Sequence, residues 1–114
     1  MTNDWDAVMA DATAIAQEAG LQFHELRNAW GNAEVERDAE FYDGHGVTCS
    51  DMNHMLYGAM KSYRDEVVRF AQRLGRDCAE RNRIINDIAQ ASGQHPDLVL
   101  QQLREFFAPL EVRA

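Results

Sequence analysis

The chain has 114 residues, of which 46% are hydrophobic and 26% charged, with seven glycines and two prolines. These proportions suit one folded domain spanning residues 1–114, and they exclude a collagen-like, low-complexity or wholly disordered chain. The formal net charge is −8 and is unevenly spread: residues 1–60 hold eleven Asp and Glu against only Arg27 and Arg37, whereas residues 61–114 hold nine Lys and Arg against eight Asp and Glu. An acidic first half repels phosphate and attracts basic protein surfaces. No apolar run reaches the ~18 residues that a membrane-spanning helix needs. The acidic opening Met1-Thr-Asn-Asp-Trp-Asp does not read as a secretory signal. A cytoplasmic location with Cys49 and Cys78 as reduced thiols is therefore the expectation.

Asn3 or Asp4 is placed to cap a first helix, in which Trp5, Val8, Met9, Ala12, Ile15, Ala16 and Ala19 recur at spacings of mostly three and four. Gly20 suits its C-terminal stop. A second helix is expected from about Gln22, with Phe23, Leu26 and Trp30 on one face and Gly31 ending it. Residues 33–42 favour helix by propensity but carry a thin apolar face of Val35, Ala39 and Tyr42. Asp43-Gly-His-Gly46 reads as a loop.

Thr48-x-x-Asp51 has the form of a capping box with Asp in the place of Glu. Behind it Met52, Leu56, Ala59, Tyr63, Val67, Phe70 and Leu74 follow one another at gaps of three and four, widened by Met55 and Met60. This is the strongest periodic signal in the chain, and it predicts a helix over 51–74, about 36 Å long at 1.5 Å per residue. A globule of this length has a radius of gyration near 13 Å, so such a helix spans the domain or projects from it. Gly75 and Asp77-x-x-Glu80 mark a stop and a new start, with Ile84, Ile85, Ile88 and Ala89 as the buried side of the next helix. One bent helix over 51–91 is the alternative. Ser92-Gly-Gln-His95 makes a turn, and Pro96 suits the first position of a last helix. Leu98, Val99, Leu103, Phe106 and Phe107 would face its core, and Pro109 would stop it. The expected fold class is all-α, a compact bundle of five or six helices around the 51–74 helix, ending in a helix-turn-helix-like hairpin.

The segment from Asp87 to Leu103 resembles the helix-turn-helix of bacterial repressors. Ala89 matches the close-packing position, Gly93 the turn, and Val99 and Leu103 the inward positions of the second helix. The resemblance covers 17 of the 114 residues. It implies a DNA-binding regulator in which the second helix enters the major groove. Gln101 and Gln102 would then meet base edges, with phosphate contacts from Arg69, Arg73, Arg76, Arg81 and Arg83. The segment departs from the family at Gln94, where an apolar residue is usual, and its second helix begins with Pro96-Asp97.

His45, Cys49 and His54 place three candidate zinc ligands within ten residues, the basis for reading the chain as a small zinc-binding helical protein. No phosphate-binding glycine loop, EF-hand spacing or nucleophile elbow is present. The leading expectation is a non-catalytic interaction or regulatory module of accessory or inhibitor type, without a cofactor. Its acidic face (Glu34, Glu36, Asp38 and Glu40) would engage a basic surface on another protein, and its long helix suits homodimerisation.

Overall fold

A computed structural model of the chain describes residues 4–44 and 46–111, with side chains described through residue 105. Five helices follow in order: α1 (Asp4–Glu18), α2 (Phe23–Arg37), α3 (Ala39–Tyr42), α4 (Cys49–Ser92) and α5 (Pro96–Glu111). No strand occurs among the described residues, and no helix there is long and apolar enough to cross a membrane. The fold is all-α around a long helix, as the periodicity of 51–74 implied. The chain divides into two units, Met1–Arg76 and Asp77–Ala114.

In the first unit, α1 ends where Leu21 N donates to Ala16 O at 2.9 Å across Gly20. The following helix begins with a reciprocal cap between Gln22 and Glu25, in which Gln22 N donates to Glu25 Oε1 at 2.8 Å. Thr48 and Asp51 form the expected capping box: Thr48 N donates to Asp51 Oδ2 at 2.9 Å, and Asp51 N donates to Thr48 Oγ1 at 3.2 Å. The core collects Ile15 and Ala16 of α1, Leu26 and Trp30 of α2, and Leu56, Ala59, Met60, Val67 and Ala71 of α4. Complete burial of Leu26, Leu56 and Val67 contributes about 1.5–3 kcal/mol each. Along α1 the contacts to α4 advance together. Asp4 meets Lys61 and Asp11 meets Arg64, both at 2.7 Å, while Ala19 lies against Gly75, so α1 runs parallel to this part of α4.

Two expected boundaries fall elsewhere. Gly31 does not end α2; it is buried, and a Cβ there would come within 2.7 Å of Met52 Cγ. The helix runs on to Arg37, and the break falls at Asp38, where the backbone leaves helical geometry before the short α3. Gly75 likewise stops nothing. The helix passes through it and through Asp77-x-x-Glu80 to Ser92, because a Cβ at Gly75 would collide with the Ala19 carbonyl oxygen. In both cases the small residue serves a close helix–helix approach, which outweighs its weak helix propensity. The interruption in α4 lies instead at Tyr63 (φ −152°, ψ 60°), which the apolar stripe placed in the core and which is 39% exposed. No proline causes this kink; the backbone leaves helical geometry at one residue.

In the second unit, α4 and α5 form a hairpin. Gly93 takes a left-handed conformation (φ +69°) and Gln94 N closes onto Ala89 O at 3.0 Å, the geometry of a Schellman stop. Ile85, Ala89 and Val99 are buried with Leu100 and Leu103 packed on them, so Ala89, Gly93, Val99 and Leu103 occupy the places the resemblance assigned. Ile84, Ile88 and Leu98 are 44%, 41% and 43% exposed. Two helices share only a narrow seam, and positions one step round it stay open. Pro109 does not end α5, which continues to Glu111. The side chains of Phe106 and Phe107 lie outside the described residues.

These contacts make opposite predictions for two glycines of α4. Gly75→Ala should destabilise by about 1–3 kcal/mol, the usual cost of overpacking, although alanine favours helix. Gly58→Ala, where nothing lies within 4 Å of the added methyl, should stabilise by up to ~1 kcal/mol. Urea unfolding of the two variants checks both signs.

Candidate functional site

An open cleft of about 590 Å³ lies in the first unit between the end of α2, α3 and the kinked part of α4. Glu34 and Tyr42 form one wall, and Asp51, His54, Met55 and Tyr63 the other. The caps and breaks of the chain set this arrangement. The Thr48 box fixes Asp51 in the first turn of α4. The break at Asp38 lets α3 turn Tyr42 into the cleft, and the kink brings Tyr63 to its rim.

The electrostatics of the cleft are negative. Burial raises the pKa of the Tyr42 phenol above its ordinary value, and the charges of Glu34, Asp38 and Asp51 raise it further. The Thr48 backbone N–H and hydroxyl hold Asp51 below the usual carboxylate range. Glu34 differs: its side chain is 16% exposed, and burial raises its pKa, with Arg37 and the Trp30 N–H pulling back. Arg37 approaches it only to 3.5 Å. The Trp30 indole stays outside bonding geometry, so Trp30 Nε1 is buried without a hydrogen-bond partner. A carboxylate whose charge is disfavoured in this way gains from a cation, and two tyrosine rings offer faces for one. The chemistry suits a Lys or Arg side chain, with its stem on Met55 and the rings and its head among the carboxylates.

Of the expected acidic face, only Glu34 turns inward; Glu36, Asp38 and Glu40 are exposed around the α2–α3 break. Next along the chain after Glu40 is Phe41, 67% exposed and set edge-on to the Tyr42 ring. Other acids are engaged within the fold. Lys61, then Tyr57, holds Asp4 below its ordinary pKa, and Arg64 does the same for Asp11 through a two-pronged contact of 2.7 and 2.9 Å.

The basic residues separate. Arg69 and Arg73 line a second, smaller cleft with Arg37, while Arg76 and Arg81 are exposed. Arg83 is bound to Glu80 and, at 3.3 Å, to Asp87. Gln101 donates to Glu105 at 3.4 Å, and Gln102 is exposed. Of the zinc candidates, His45 lies outside the described residues, Cys49 is exposed, and His54 sits 4.9 Å from the Trp5 ring. Among the described residues no three His, Cys, Asp or Glu side chains are grouped to hold a metal.

Sequence reasoning read Asp51 as a cap and Tyr63 as core, and did not bring the two together in one cleft. The signal at Tyr63 is its setting in Ser62-Tyr63-Arg64-Asp65, a polar run interrupting the apolar stripe.

Because Glu34 has a folded pKa above its unfolded value, its ionised form costs stability at neutral pH, and the cost disappears below the ordinary glutamate range. Glu34→Gln should therefore raise stability at pH 7 by about a few tenths of a kcal/mol, small because the open cleft screens the charge. The gain should vanish by about pH 4, where the wild-type carboxyl is protonated. Thermal melts of the two proteins across pH 3.5–8 read the difference.

Comparison with protein-family models, with curated proteins and with solved structures returns no match for this chain.

Proposed function

We propose that the protein is a non-catalytic interaction module that docks a basic segment of another protein. The segment lies over the α2–α3 break and inserts one Lys or Arg side chain into the adjoining cleft. The observation that carries this reading is that Glu34, Asp51 and Tyr42 line one cleft beside an exposed aromatic, Phe41. Interfaces draw most of their affinity from a few anchors such as aromatic rings and arginine, while rim charges steer the approach. Here Phe41 is the anchor offered to the partner, the cleft receives the partner's cation, and Glu36, Asp38 and Glu40 form the rim.

This division of labour predicts separable kinetics with an arginine-rich peptide as probe. Neutralising the rim (Glu36→Gln, Asp38→Asn and Glu40→Gln together) should slow association severalfold and flatten its salt dependence. Phe41→Ala should speed dissociation about tenfold, the scale of a lost anchor. Surface plasmon resonance at 50 and 200 mM salt reads both. No binding of the peptide would overturn the reading. So would tight, steeply salt-dependent binding of duplex DNA that is lost on replacing Arg81 and Arg83, which would favour a helix-turn-helix regulator.

A further inference from the structure

On another part of the first unit the sign of the surface reverses. A cleft of about 320 Å³ is lined by Trp30 and Arg37 of α2 and by Glu66, Arg69, Phe70 and Arg73 of α4. Three arginines therefore line one hollow in a chain whose net charge is −8. Arg69 and Arg73 stand four residues apart, one turn along the same face of α4, and neither makes an ion pair among the described residues. Arg37 has only the 3.5 Å contact with Glu34. Glu66 is the one carboxylate lining the hollow, so its walls carry an excess of two positive charges. Trp30, which also lines the hollow, is 95% buried, so its indole N–H serves as a reporter of the site.

We propose that this cleft binds a phosphoryl group, either as free phosphate or as the head of a small phosphate monoester. Exposed arginines gathered at one hollow leave most of their donors available, and an anion that joins them relieves their mutual repulsion. The guanidinium fork donates two parallel N–H groups to an oxyanion, a geometry a phosphoryl group accepts on several sides at once. The excess charge of two matches a phosphate dianion. The volume exceeds what the ion alone fills, which leaves room for a small organic substituent. Duplex DNA fits this hollow poorly, because its phosphates lie along a convex backbone and need contacts spread over a wide basic surface. The expected stripe of Arg69, Arg73 and Arg76 is thus divided, two of its members lining the hollow. This inference is independent of the peptide-docking reading, which uses the other cleft.

The test follows the indole N–H resonance of Trp30, isolated in a Trp5→Phe background, during titration with inorganic phosphate and with phenyl phosphate. Sodium chloride holds the ionic strength constant. A saturable shift is expected with both, and the tighter ligand identifies the source as free ion or ester. Arg69→Gln and Arg73→Gln should each weaken binding about tenfold or more, the scale of a hydrogen bond to a charged group. Arg69→Lys should weaken it less, and Arg83→Gln, in the second unit, should leave it unchanged. These arginines are exposed, so unaltered melting temperatures establish that the variants fold. A shift that chloride reproduces, that never saturates, or that persists in both glutamine variants would overturn the proposal. So would binding of duplex DNA at this resonance with higher affinity than phenyl phosphate.

Discussion

The first unit depends on one constraint: two helices must lie close enough to α4 for its apolar stripe to leave water completely. Leu26, Leu56, Val67 and Ala71 reach full burial only because α2 closes on Met52 at Gly31 and α1 closes on Gly75 at Ala19. At those two points the missing side chains set the distance between helices. The polar contacts between α1 and α4, from Asp4 to Lys61 and from Asp11 to Arg64, lie at the exposed margin of the contact. Exposed ion pairs add little energy; these two serve mainly to fix which stretch of α4 faces α1.

That constraint also explains how far the fold was legible. Helix class, the stripe of α4, the Thr48 box, the proline start of α5 and the Gly20 and Gly93 stops all follow from short-range chemistry, and the structure contains each of them. Two of the misplaced boundaries share a cause. A glycine between two helical patterns reads locally as a stop, yet Gly31 and Gly75 lie inside helices because a neighbour needs the space. Tyr63 fails in the opposite sense: period alone put it in the core, while the kink turns it outward. For Ile84 and Ile88 the period indicated a face, but not how much of that face a two-helix hairpin covers.

The functional residues were legible by type more than by place. Acidic residues were expected to act as a face, but the break at Asp38 divides them into an inward Glu34 and an outward trio. The arginines of α4 were expected to act as a stripe, yet Arg37 from another helix joins Arg69 and Arg73, while Glu80 and Asp87 hold Arg83. Spacing along one helix carries no information about what a second helix contributes. Both clefts therefore took shape only once α2 was set against α4.

The irregular residue at Tyr63 also divides the two surfaces along α4. Asp51, His54 and Met55 precede it and line the acidic cleft, whereas Arg69, Phe70 and Arg73 follow it and line the arginine-rich hollow. A change of bend at this one position would therefore shift one surface against the other, although both are built on a single helix.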